Sequence, residues 1–160
     1  MKDLLVRLME LPESSALEKK LEADEKIVVK RPIAPERSIV TEWVAQHFGS
    51  NWKNEMEAAF NTTPTHCYIA IRDQNILGFA CFECTAKNFF GPTGVLETEQ
   101  GKGIGKLLLL KALEALKNMG YAYAIIGGVG PVEYYRKAVG AQEINGSEIS
   151  VYQHLLKHPK

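Results

Sequence analysis

Residues 99–116 read EQGKGIGKLLLLKALEAL. Gly101, Gly103 and Gly105 alternate with Lys102, Ile104 and Lys106, and the run leads straight into leucines. Ile104, Leu108, Ala112, Ala115, Leu116 and Met119 recur on one half of a helical wheel. Lys106, Lys111, Glu114 and Lys117 share the other half, so the spacing predicts a helix of about 17 residues that Gly120 closes. A helix start leaves several N–H groups without intrahelical acceptors and carries the positive end of the dipole. Bare glycines let a ligand approach that backbone. The stretch therefore reads as an anion site, most naturally for phosphate.

Elements on both sides give the fold. Upstream, KIVVKR (26–31) is a strand by its β-branched run. Helices are predicted from Pro35 to Gly49 and from Asn51 to Phe60. HCYIAIRD and ILGFACFECT alternate as two strands of a hairpin turning near Gln74 and Asn75. FFGPTGVLE is a further strand whose Gly91, Pro92 and Gly94 predict a bulge or a break in the ladder. Downstream, YAYAIIGG is apolar on both faces, as a central parallel strand should be. PVEYYRKAV is a short helix opened by Pro131, and the stretches from GAQEI to ISVYQHL read as two final strands. The order describes a mixed α/β sheet with helices on both faces.

Two common phosphate signatures fail here. A P-loop needs a glycine five residues before the Gly-Lys pair and a hydroxyl residue after it, where Gln100 and Leu107 stand. The dinucleotide fingerprint needs a third glycine where Lys106 stands. The motif QGKGIG instead resembles the Arg/Gln-x-x-Gly-x-Gly/Ala motif of the GNAT N-acetyltransferases. GVLETEQGKGIGKLLL resembles the fourth strand, turn and third helix of that fold, and YAYAIIGG with VEYYRKAVGA resembles its fifth strand and fourth helix. The resemblance covers roughly residues 27–152.

The resemblance implies a mostly antiparallel sheet of about seven strands, splayed between the fourth and fifth core strands and flanked by four main helices. Residues 1–26 would be an amino-terminal extension packing on a domain at 27–160. The implied activity is acetyl transfer from acetyl-CoA to a primary amine, small molecule or peptide, by direct attack on the thioester. Main-chain amides from Gly101 to Lys106 would hold the pyrophosphate, with Lys102 and Lys106 adding charge and Gln100 steadying the turn. The main chain of Val95 and Leu96 would pair with the pantetheine arm, and an amide near Leu96 would stabilise the developing oxyanion. Tyr135 would protonate the leaving thiolate, with Tyr134 as the other candidate.

Three positions depart from the family pattern. One extra residue separates Tyr135 from Gly140, Ala141 replaces an aromatic, and Gly128 stands where an asparagine is frequent. The same features also fit a non-catalytic acyl-CoA-binding module. Glu83, His66, Glu97 and Glu99 are open as general bases, as is a water chain. The acceptor site would be walled by the first two helices and the loop near NGSEIS, with Trp52, Glu55 and Tyr152 in those segments.

Composition sets the remaining limits. The 160 residues are 46% hydrophobic, enough for one sizeable core. Lysine plus arginine and aspartate plus glutamate number 19 each, so no basic excess points to nucleic acid or an anionic membrane. MKDLLVRLMELPESS carries charges inside its short apolar stretch and no cleavage site, unlike a signal peptide, and the expectation is a cytoplasmic protein. Cys67, Cys81 and Cys84 read as small core residues rather than half a zinc site, so no metal is expected. A homodimer is compatible with the resemblance, without an interface being evident.

Overall fold

Asp73 and Gln74 both take the left-handed backbone region, with φ of 48° and 67°. They form the tight turn that joins β3 (Cys67–Arg72) to β4 (Asn75–Phe82), matching the twist of the flanking strands. The computed structural model describes residues 1–159. Around this hairpin are β1 (Lys2–Arg7), β2 (Val28–Lys30), β5 (Phe89–Val95), β6 (Tyr123–Val129) and β7 (Gln142–Glu143). The helices are α1 (Ser15–Glu25), α2 (Arg37–Phe48), α3 (Ser50–Ala59), α4 (Ile104–Asn118) and α5 (Val132–Val139). The strands form one sheet in the order β2-β3-β4-β5-β6-β1-β7.

β5 and β6 run parallel, and the other neighbouring pairs are antiparallel. The parallel pair holds only at Phe89–Ile125 and Phe90–Ile126, after which the two strands diverge. This is the expected splay. The bulge is also where the Gly-Pro pair predicts it, because the β4–β5 register shifts between Ala80–Thr93 and Phe82–Phe90.

Each face of the sheet carries its own core. Under α1, α4 and α5 lie Leu4, Leu8, Leu21, Phe82, Phe90, Leu108, Leu113 and Ile126. Under α2 and α3 lie Val40, Val44, Met56, Ile69, Phe79 and the buried cysteines Cys67 and Cys81, opposite one another across β3 and β4. Ile104 is 1% exposed, so the first residue of α4 fixes that helix end on the core.

Two regions differ from the sequence reading. Residues 1–26, expected to pack against the domain, supply β1 to the sheet between β6 and β7. Asp3 ties it there, accepting the Gly128 N–H at 2.9 Å. The second of the two final strands does not form: residues 151–154 are turns, Ser150 Oγ accepts the Tyr152 N–H, and the Ser150 carbonyl accepts that of Gln153. Short-range side-chain bonds of this kind compete with a ladder. Among the described residues no helix is long and apolar enough to cross a membrane.

Candidate functional site

Among the described residues, the main-chain N–H groups from Gly101 to Lys106 donate to no main-chain acceptor; the first such bond runs from Leu107 to the Gly103 carbonyl at 3.0 Å. Gly101 and Gly103 hold φ of 84° and 99°, a region that costs other residues roughly 1–2 kcal/mol. Left-handed glycines of this kind ahead of a helix start are the backbone setting in which anion nests form. A Cβ on Gly105 would lie 3.7 Å from the Tyr134 hydroxyl and 3.7 Å from a Val95 methyl. Val95 and the Tyr134 hydroxyl therefore flank the last glycine of the loop, beside the gap left where β5 and β6 have parted.

Strand parity decides which main chain faces that gap. The Leu96 N–H donates to the Leu77 carbonyl at 2.9 Å. Hydrogen-bonded and non-bonded pairs alternate along an antiparallel ladder, so Val95, opposite Gly78, turns its N–H and carbonyl the other way, toward the splay. This corrects the expectation for Leu96, whose amide already has its partner. Gln100 Nε2 donates to the Val95 carbonyl at 3.3 Å, linking the motif's first residue to the free strand edge. Gly94 answers a different need: a Cβ there would meet the Phe48 ring at 2.6 Å, so its bareness seats α2.

The lysines divide. Lys102 Nζ lies 2.7 Å from Glu99, which also binds Arg72 at 2.8 Å, and Arg72 reaches Glu25 at 3.0 Å. The Lys102 charge is thus held beside the loop by Glu99. Hydrogen bonds from Lys102 and then Arg72 hold the Glu99 carboxyl below its ordinary range. Lys106 has no acidic partner among the described residues and is exposed. Sequence spacing hid this network because Arg72 and Glu25 come from distant segments.

The two tyrosines of α5 occupy different ends of the splay. Tyr134 is 43% exposed and hangs over the start of α4. Tyr135 is 7% exposed, with its ring edge-on to Phe90 at 6.3 Å, the last β5 residue paired to β6. Burial first, and the neighbouring Tyr134 second, together push the Tyr135 phenol up to about 12. Among the described residues its hydroxyl has no hydrogen-bond partner, yet no fully buried polar side-chain atom lacks one, so that oxygen reaches solvent.

The expected base candidates lie in other settings. Glu83 accepts from the Tyr121 hydroxyl and the Asn88 N–H, at the far end of β4. The His66 ring stacks on Phe82 at 5.0 Å, and burial lowers its pKa. Glu97 is exposed, and Glu99 is committed to two cations.

The model of the acetyltransferase (GNAT) family matches residues 37–140. The chain belongs to that family. The match runs from the start of α2 to the end of α5, so it takes in the glycine loop, the splay and both tyrosines of this GNAT domain. Among curated proteins none matches significantly. Among solved structures, the chain resembles a GCN5-related glucosamine N-acetyltransferase region of a fungal multi-domain β-N-acetylglucosaminidase, with a TM-score of 0.71, 15% identity and 89% of this chain covered. A GCN5-related N-acetyltransferase from Sphaerobacter thermophilus gives 0.69, 18% and 89%. The matches span 19% and 48% of those two longer chains. At these identities the likeness concerns the fold.

Proposed function

We propose that this GNAT domain transfers an acetyl group from acetyl-CoA to a primary amine. The observation that carries the reading is the run of unpartnered amides from Gly101 to Lys106 beside the free edge of β5. These residues fit the coenzyme: the amides suit a diphosphate without any side chain, and Val95 offers an N–H to an extended amide-bearing arm. Bound acetyl-CoA supplies an activated thioester. The Leu96 amide, already bonded to Leu77, leaves the Val95 N–H as the donor for that arm. Tyr135, protonated at working pH, gives its proton to the departing sulfur. Lys106 adds unpaired positive charge near the phosphates.

Calorimetry with coenzyme A and thiol release from acetyl-CoA in the presence of putrescine, glucosamine and a lysyl peptide test the reading. Saturable binding with amine-dependent thiol release supports it. Binding without release from any amine identifies an acyl-CoA-binding module, and absence of binding overturns both.

A further inference from the structure

On the face covered by α2 and α3, Glu55 of α3 meets the loop between β4 and β5. The Thr85 hydroxyl stands 2.8 Å from both Glu55 oxygens and donates to the carboxylate. No other donor reaches Glu55 and no cation pairs with it among the described residues. An ionised carboxylate has about four acceptor sites, so most of its capacity is unused although the residue is half-buried.

A third element completes the cluster. Tyr152 lays its ring over β6, so that a Cβ on Gly127 would meet it at 3.2 Å and one on Gly128 at 3.4 Å. These glycines are the first β6 residues beyond the last pairing with β5. Tyr152 therefore stands at the lip of the splay, with Thr85 beside its phenol. Helix, loop and carboxy-terminal segment bring a carboxylate, a hydroxyl and an aromatic ring to the point where the strands part.

We propose that Glu55, flanked by Thr85 and Tyr152, binds the ammonium group of the acceptor and takes its proton, selecting cationic primary amines. This rests on the acetyl-transfer reading above. The ammonium gives one proton to the Glu55 carboxylate, and the freed lone pair forms the N–C bond to the acetyl carbon. The C–S bond breaks with its electron pair going to sulfur. Nitrogen loses a second proton as sulfur gains one. The products are an amide, a thiol and one proton on Glu55, which solvent removes. Burial raises the Glu55 pKa, against a smaller lowering by Thr85. The titratable groups around it are Cys81 of β4 and Tyr152, both raised by burial, with Asp3 of β1 on the Tyr152 side. Neither the thiol nor the phenol ionises in the range where the carboxyl does.

The test uses the whole chain with putrescine, glucosamine and a lysyl peptide. Glu55→Gln keeps an oxygen for Thr85 and should leave coenzyme A affinity unchanged in calorimetry. It should lower kcat/KM for the amine about a hundredfold. The rising limb of the pH profile, set in the native protein by Glu55, should move up to the amine's own ionisation. Glu55→Asp should keep the lower limb. If the native protein turns over none of these amines, the transfer reading fails and this inference with it. If it does so and Glu55→Gln matches it within about threefold, or loses rate with the limb unmoved, this inference alone is overturned.

Discussion

Leu96 gives its amide proton to Leu77 at 2.9 Å, and that one bond turns the main chain of Val95 toward the splay. Proline lacks an N–H, so it separates the two positions. Val95→Pro removes the outward donor, exchanges one apolar side chain against the core for another, and should weaken coenzyme A binding about tenfold, the worth of one good hydrogen bond, with the fold retained. Leu96→Pro removes a ladder bond and should lower the unfolding midpoint. Equal effects of both variants on stability and binding would show that the parity does not matter to the ligand.

Gly105 offers a contrast between stability and binding. The nearest atoms to an added Cβ are 3.7 Å away, ordinary van der Waals contact, and its φ is not in the left-handed region. Gly105→Ala should therefore fold, with a stability gain of up to about 0.5–1 kcal/mol from the reduced freedom of the unfolded chain. The methyl group would stand between Val95 and Tyr134, beside the amides proposed to hold the diphosphate. Thermal unfolding should rise slightly while coenzyme A affinity drops about tenfold or more. Undiminished affinity would move the diphosphate away from this helix start.

Short-range pattern carried much of this architecture and failed where long-range pairing decided it. The leucines of α4 and the alternation of β3 and β4 declare their elements within a few residues, and the Gly91-Pro92 bulge follows from missing donors and side chains. The placement of β1 depends on partners such as Val129 and Ala124, which no local pattern names. Residues 149–155 look β-prone, yet Ser150 ties the backbone into turns and the Tyr152 ring finds a seat on two glycines. Motif order placed the glycine turn ahead of α4 and the two tyrosines on α5, where the structure has them. The Leu96–Leu77 parity was not legible, because a shift of one residue in register exchanges inward and outward donors.

Tyr135 and Tyr134 should respond differently to loss of the hydroxyl. Tyr135→Phe keeps the ring against Phe90, so fold and coenzyme A affinity should hold while kcat falls by about tenfold or more. A phenol near 12 stays protonated throughout the neutral range, so the rate should show no falling limb from this group below that value. Tyr134→Phe removes a hydroxyl at the start of α4 and should raise KM for acetyl-CoA with kcat kept. Steady-state kinetics across pH check both, and an unchanged kcat in Tyr135→Phe would remove the residue from the chemistry.

Glu99 couples the phosphate loop to acid. Its carboxyl is held below the ordinary range by Lys102 first and Arg72 second. A group lowered in the fold stabilises it fully above the unfolded value, about pH 4. That contribution disappears as pH falls through the lowered folded value. Glu99→Gln imposes the neutral state at pH 7: it should lower the unfolding midpoint and release Lys102 from its 2.7 Å partner, leaving it only the more distant Glu25 at 3.8 Å. The released ammonium lies beside the amides of the loop, so coenzyme A should bind more tightly at low ionic strength. Screening contracts to a few ångströms near 1 M salt, and the gain should vanish there. Calorimetry at two salt concentrations measures this, and an affinity that ignores both the substitution and the salt would place Lys102 out of reach of the phosphates.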